Sequence, residues 1–168
     1  MAEIIRVYRQ KTGASRFIGK RYGDADRVDG SFGAKWGEWM NNDWFKTVAS
    51  QYDGDLTAFG EDGGCPVGMM RDTPEGAFEY WIGIFMPEDT AVPEGFEHVD
   101  FPAGHLGVCW VCGKEEDIYM REGECGERLE REGYKYANEW CFERYAKPRF
   151  DMPDENGNII LDICFFVE

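Results

Sequence analysis

One carboxylate lies inside an aromatic segment near the C-terminus and constrains the fold more than any other feature. Residues 140–145 have the composition of a β-strand and contain Glu143. Side chains alternate across a sheet, so Glu143 shares a face with Cys141 and Tyr145. A buried carboxylate is unfavourable unless a cation, a proton or hydrogen-bond donors accompany it. The spacing leaves two interpretations open: a buried functional Glu143, or a half-exposed, salt-bridged one.

Size and charge restrict the class of partner. The 168 residues are enough for one domain with a substantial core. Aromatic residues make up 15% of the chain, more than packing usually needs, which is consistent with a lined cavity. The formal net charge of -15 disfavours nucleic acids and anionic membranes and mildly favours cationic or neutral partners. Alternatively, the acidity only keeps the protein soluble.

The cysteines and histidines do not form a recognisable metal or redox motif. Cys109 and Cys112 have C-x-x-C spacing, but a strand would send their sulfur atoms to opposite faces, and no second pair completes a zinc site. His98 and His105 fit neither a catalytic set nor a haem site. We therefore expect no metal and no cofactor. Without a signal peptide or a long apolar run, we expect a cytoplasmic protein with reduced cysteines.

The order of predicted elements repeats in the two halves of the chain. Helical periodicity covers residues 31–50, including Trp36 and Trp39, and residues 115–132. Strands are predicted at 4–8, 15–22, 56–60, 67–71, 78–85, 97–101, 105–111, 140–145 and from 159. Both halves thus read strand, helix, strand, strand. This order predicts an α+β protein with an antiparallel sheet and helices on one face.

The predicted division of the chain follows this repeat. Residues 1–86 and 97–168 would be two β-α-β-β units of a single ligand-binding domain, 1–168. Residues 87–96, which contain two prolines, would be the linker. A cleft would lie on the uncovered face or at the seam between the units.

Four segments, in this order, resemble the GyrI-like small-molecule-binding domains, which are also effector-binding modules of AraC- and MerR-type multidrug regulators. They are residues 78–84, 101–108, 142–145 and 161–167. Phe166 and Gly107 depart from the family pattern, which usually has a proline and a larger residue there. The resemblance implies two β-α-β-β units related by a pseudo-two-fold axis, with an aromatic cleft between them.

The resemblance also implies a site. In multidrug-binding members a buried glutamate meets lipophilic cations, and that residue corresponds to Glu143. Aromatic side chains could hold such a cation by stacking and cation–π contacts. The candidate walls are Tyr80, Tyr145, Trp36, Trp39, Trp81 and Trp110. Tyr80 and Trp81 are neighbours on one strand, so they cannot both face the cleft.

Three functions follow as expectations. The first is binding of hydrophobic, cationic or planar aromatic molecules, for sequestration, sensing or detoxification, by a stand-alone domain without nucleic-acid or membrane partners. The second, implied by the resemblance, is a hydrolase that opens strained rings, with Glu143 as general base or acid and Tyr145 or Tyr80 assisting. The third is inhibition of a protein partner by acidic mimicry, which rests on charge alone.

Overall fold

The chain folds into two compact units of strands and helices. A computed structural model describes residues 1–56 and 63–168. One unit, the Glu143 unit, comprises Met1–Gly13 and Ala103–Glu168, and the other, the Tyr80 unit, comprises Ala14–Pro102. In chain order the elements are β1 (Glu3–Thr12), β2 (Ser15–Tyr22), α1 (Gly33–Asn41), α2 (Trp44–Ala49), β3 (Val67–Asp72), β4 (Phe78–Pro87), β5 (Glu97–Phe101), β6 (Gly104–Gly113), α3 (Glu122–Arg131), β7 (Tyr136–Arg144) and β8 (Ile159–Val167).

The Glu143 unit is a four-stranded antiparallel sheet covered on one face by α3. Its strand order is β1-β6-β8-β7. Cys125 and Leu129 of α3 pack against Cys109 of β6 and Ile163 of β8 in one buried cluster. Ile163 pairs directly with Glu143 of β7, and directly paired residues point to the same face. Glu143 therefore lies on the α3 side of the sheet.

The Tyr80 unit has the strand order β3-β4-β2-β5, with α1 and α2 on one face. Trp39 and Val48 of the helices pack against Ile18 of β2 and Ile82 of β4. Gly19 and Gly83 face each other across β2 and β4. A Cβ atom on Gly19 would lie 2.1 Å from the carbonyl oxygen of Ile82, so the backbones approach closely and only glycine fits.

The structure confirms the α+β class and the antiparallel strands, and it corrects the helix bounds. The helix predicted over 31–50 is two helices, interrupted before Trp44 by Asp43, which has a φ of 52°. The helix predicted over 115–132 begins only at Glu122, because Met120 has a φ of 63°. Positive φ is incompatible with a continuing α-helix. The strand predicted at 56–60 falls, from residue 57 onward, outside the described residues.

The predicted division at 87–96 differs from the two compact units. β1 pairs with β6 and β5 pairs with β2, so each unit contains one strand from the other half of the chain. These pairings join residues far apart in sequence, which a local pattern does not encode. The pseudo-two-fold symmetry stays a prediction. Within the described ranges, no helix has the length and hydropathy needed to cross a bilayer.

Candidate functional site

Glu143 is a buried carboxylate with a phenol as its hydrogen-bond donor. Its exposed fraction is 7%. The hydroxyl of Tyr145 donates to Glu143 Oε2 at 2.7 Å, a length typical of a bond to a charged acceptor. The Tyr145 ring meets Phe150 edge-on, with 4.8 Å between ring centroids. The packed ring thus fixes the hydroxyl beside the carboxylate, as expected for two side chains on one strand face.

The charge of Glu143 contributes to a raised pKa at a second phenol, Tyr119. The pKa of Tyr119 is raised to about 12, first by burial and then by the negative charges of Glu115 and Glu143. Its side chain is 37% exposed. Tyr119 therefore lies between solvent and the neighbourhood of the carboxylate. Tyr119 could not be identified from the sequence, because residue 119 falls in the segment where a continuous helix was predicted.

An open groove of about 350 Å³, here called the α3 groove, runs between α3 and the neighbouring strands of the Glu143 unit. Its walls combine four glutamates with three aromatic rings: Glu122, Glu127, Glu130, Glu139, Tyr136, Trp140 and Phe165. Phe165 pairs with Cys141, and Glu143 is the next residue of β7 on that face. Two residues along a strand span roughly 7 Å. Glu143 and the floor of the groove are therefore neighbours on one sheet face.

The lining of the α3 groove is ordered and partly desolvated. Tyr136 stacks on Phe165 at 5.4 Å between centroids, and its hydroxyl donates to the carbonyl of Gly126 at 3.0 Å. Burial raises the pKa of Glu122. A carboxylate in that position favours a proton or a neighbouring cation. The groove therefore combines flat apolar surface with acidic groups.

Trp110, predicted as a wall of the site, lies on the face opposite Glu143. It pairs with Asp162, which in turn pairs with Arg144 of β7. These residues alternate with Cys109, Ile163 and Glu143, which point toward α3. Trp110 is thus separated from Glu143 by the sheet itself.

The remaining predicted residues belong to the Tyr80 unit, where the helices cover Tyr80 and not Trp81. Tyr80 stacks on Phe32 at 4.4 Å between centroids, and its hydroxyl accepts a hydrogen bond from Trp36 Nε1 at 3.0 Å. Trp81 points to the other face, where its Nε1 donates to Glu79 Oε2 at 3.1 Å.

Trp39 packs inside the Tyr80 unit as a core residue. It is fully buried, and its Nε1 donates to the Tyr22 hydroxyl at 3.0 Å. A side chain without exposed surface cannot touch a ligand unless its surroundings move. Among the predicted residues of this unit, Tyr80 and Trp36 are joined by a hydrogen bond. Ligand contact by Tyr80, Trp81 or either of the helical tryptophans stays a prediction.

The thiols and acidic groups show no metal arrangement in the described part of the chain. Within residues 1–56 and 63–168, no three His, Cys, Asp or Glu side chains come together as a ligand set. All six cysteines are free thiols. Cys109 is buried and Cys112 is partly exposed, on opposite faces of β6.

The chain is similar to a known protein family over most of its length. A family model described as an integron-associated effector binding protein, Cass2, matches residues 17–164. The chain belongs to this effector-binding family. That membership confirms the resemblance to GyrI-like effector-binding domains and supports small-molecule binding in general. No curated protein matches the chain.

Three solved structures share the fold of this family member at low identity. SAV2435 bound to tetraphenylphosphonium has a TM-score of 0.67 at 12% identity, covering 98% of this chain and 94% of that chain. An integron cassette protein from Vibrio cholerae has a TM-score of 0.55 at 13% identity, covering 99% of each. A hydrolase from Listeria innocua has a TM-score of 0.52 at 9% identity, covering 97% and 92%. These identities establish a common fold and nothing finer.

Proposed function

We propose that this chain binds hydrophobic, cationic small molecules on the α3 side of the Glu143 unit, with Glu143 supplying the countercharge. One observation carries the proposal: a 7% exposed carboxylate shares a sheet face with a groove of about 350 Å³ lined by aromatic rings and glutamates. Membership of an effector-binding family supports it, and so does the binding of tetraphenylphosphonium by SAV2435, which has the same fold.

Charge selection follows from simple electrostatics. At about 6 Å between a cationic centre and the Glu143 carboxylate, an effective dielectric constant of about 20 gives an attraction of about 2.8 kcal/mol. Each cation–π contact with a groove ring adds roughly 0.5–2 kcal/mol. An anion of the same shape would meet the same carboxylates as repulsion. The site should therefore bind a cation more tightly than an uncharged or anionic molecule of the same shape.

The test is calorimetric titration with tetraphenylphosphonium and with neutral triphenylphosphine oxide. We expect Glu143→Gln to raise the Kd for the cation at least about tenfold, equivalent to about 1.4 kcal/mol. The matched control is Glu155→Gln, which removes one exposed acid of the same unit and should leave the Kd unchanged. Equal cation affinity in the wild type and Glu143→Gln, or equally tight binding of the neutral compound, would contradict the proposal.

In the cell this binding would serve sequestration, sensing or detoxification. We place it in the cytoplasm, where the six thiols would stay reduced. Binding without chemical change fits sequestration and sensing, whereas detoxification also allows turnover. The two outcomes differ in whether the bound compound leaves unchanged.

The hydrogen bond between Tyr145 and Glu143 favours a second candidate, a hydrolase. A carboxylate beside a phenol can take a proton from an attacking water and return one to the opened ring. The likeness to the Listeria innocua hydrolase supports the fold of such an enzyme. With an electrophilic cyclopropane substrate, product beyond one equivalent per protein, lost in Glu143→Gln, would support turnover. Recovery of unchanged substrate would reject it.

A further inference from the structure

The first strand of the Glu143 unit, β1, lies at the end of its sheet and pairs only with β6 among the described strands. Residues 6–12, here called the β1 edge, are in unbroken register with β6, so alternate residues direct their N–H and C=O groups away from it. Within residues 1–56 and 63–168, no hydrogen bond from a turn, a loop or a side chain reaches the backbone of this segment. The β1 edge can therefore accept a further strand.

The β1 edge is basic, in contrast to the chain as a whole. Arg6, Arg9 and Lys11 are exposed, and none of them forms an ion pair with another residue that the structure describes. β1 contains one acidic residue, Glu3, whereas the formal net charge of the chain is -15. Exposed charges more than about 8 Å apart are largely screened at physiological ionic strength. A ligand that touches the β1 edge therefore meets mainly these three cations.

The three cations are distributed over both faces of β1. Val7 packs against the buried cluster beneath α3, and Arg9 and Lys11 follow it at every second position, on the same face. Arg6 lies on the other face. The side chains of a neighbouring strand alternate in the same way. An antiparallel neighbour would therefore need acidic side chains at the spacing E-x-E-x-x-E to place them opposite Lys11, Arg9 and Arg6 in turn.

Two aromatic rings hold the guanidinium group of Arg6 in position. Its central carbon lies 4.2 Å from the ring centroid of Tyr8 and 4.7 Å from that of Trp110. A guanidinium group that stacks through its flat side keeps the N–H groups at its rim available, and their fork matches the two oxygen atoms of a carboxylate. Arg6 is thus ordered for contact with an acidic side chain beside β1.

The charges of the β1 edge disfavour a second copy of this chain as its partner. Two such edges would bring two sets of three cations together, and each chain adds a net charge of -15 to the repulsion. The register with β6 also shifts between Ile4 and Arg6, which disturbs the regular strand there. Bulges and charges are common means of preventing sheets from pairing with themselves. An acidic strand would meet opposite charges along the same edge.

We propose that the β1 edge binds an extended, acidic segment of a partner protein by adding it to the sheet as an antiparallel strand. Backbone hydrogen bonds supply the affinity, and Arg6, Arg9 and Lys11 select negative charge. The β1 edge contains no residue of the proposed cation site. The proposal is therefore independent of the function proposed above.

The experiment titrates the full chain into a fluorescently labelled, capped peptide, Thr-Glu-Thr-Glu-Val-Thr-Glu-Thr, followed by anisotropy at low ionic strength. We expect saturable binding, weakened in Arg6→Gln by a factor of roughly 1.5–5, the range of exposed ion pairs. The double variant Arg9→Gln with Lys11→Gln should lose at least about fourfold. The matched control is Lys135→Gln, which removes an exposed cation just before β7, three strands or roughly 14 Å from β1, and should bind as the wild type does.

Two altered peptides separate charge from backbone pairing. Replacing the glutamates by glutamines should weaken binding, and methylating the backbone nitrogens that face β1 should abolish it, because each methyl group removes a donor of the added strand. In NMR spectra of the full chain, the amide signals of residues 6–12 should shift during the titration.

Four outcomes would overturn the proposal: no saturable binding, equal affinity of the methylated peptide, wild-type affinity in the double variant, or association of the chain with itself through β1 in sedimentation. Because the substituted side chains are exposed, the variants should keep the fold, which their NMR spectra check directly.

Discussion

Removing the Tyr145 hydroxyl should expose the energetic state of Glu143. In Tyr145→Phe the ring remains, so its edge-on packing against Phe150 is kept. What disappears is the donor at 2.7 Å from a carboxylate that is only 7% exposed. The variant therefore isolates one hydrogen bond from the packing that surrounds it.

The magnitude follows from the charge and burial of the acceptor. Hydrogen bonds to charged groups contribute about 1.5–3 kcal/mol, and a buried acceptor that loses its donor keeps its desolvation penalty. For a protein of this size each kcal/mol shifts the Tm by about 2–4 °C, so we expect a fall of roughly 3–12 °C. Removal of a hydroxyl that has no such acceptor should lower the Tm much less.

The assay is thermal and urea unfolding of the wild type, Tyr145→Phe and Tyr134→Phe. Tyr134 packs against the same buried cluster, and among the described residues its hydroxyl has no hydrogen-bond partner. If Tyr145→Phe and Tyr134→Phe lose equal stability, the hydrogen bond to Glu143 contributes nothing special and the reasoning is wrong. If the reasoning is right, tetraphenylphosphonium should restore more stability to Tyr145→Phe than to the wild type, because the cation replaces the missing partner.

Three other perturbations test separate parts of the molecule. Asp162→Asn should lower the free energy of unfolding by about 3–5 kcal/mol, since it removes the fully buried carboxylate that Arg144 and Arg149 both contact. A loss below about 1 kcal/mol in urea would contradict this. In Gly126→Ala the new Cβ would lie 2.8 Å from the Tyr136 hydroxyl, so the variant should weaken tetraphenylphosphonium binding. Its stability should change by less than about 1 kcal/mol, because the gain in helix propensity offsets the disturbed hydrogen bond of Tyr136. Unchanged calorimetric affinity would argue against binding in the groove. Burial would raise the pKa of Glu79, but hydrogen bonds from Arg71 and Trp81 outweigh burial and hold the pKa below its usual 4.5. The wild type should therefore be more stable than Glu79→Gln above pH 4.5 and lose that advantage as the pH falls further; parallel stability curves for the two proteins would refute it.

The parts of the fold that sequence predicted correctly are those with a strong local pattern. The strands around Tyr80, Glu143 and Ile163 alternate or run apolar, and each forms where expected. The break at Asp43 was missed because a single residue with positive φ leaves the apolar periodicity intact. The pairing of β1 with β6 and of β5 with β2 could not be predicted, because the paired strands lie far apart along the chain.

The candidate site, too, could be predicted from the sequence only where a local pattern determines the geometry. Tyr145 could be placed beside Glu143, because two residues apart on a strand means the same face. The α3 groove could not be found, since Glu122 reads as an ordinary charged helix residue and Phe165 as a core residue. The face on which Trp110 lies could not be predicted either, because Cys109 and Trp110 are both compatible with the buried side of a strand. Only the position of α3 decides which of them faces the helix. The cleft expected between the two units stays a prediction.

Two adjacent residues, Glu143 and Arg144, give the two faces of one sheet opposite character. Glu143 lies on the acidic, aromatic α3 side, while Arg144 lies on the opposite face and donates a hydrogen bond to Asp162. A register shift of one residue would exchange the two side chains and separate Arg144 from Asp162, so the pairing of β7 with β8 is strongly specified. Glu143 and Arg6 lie on opposite faces of the sheet, so substitutions at these two residues should act independently. The double variant Glu143→Gln with Arg6→Gln should then lose affinity for tetraphenylphosphonium by the same factor as Glu143→Gln alone, within about 0.5 kcal/mol. A larger departure would mean that the two faces are coupled through the backbone of β7.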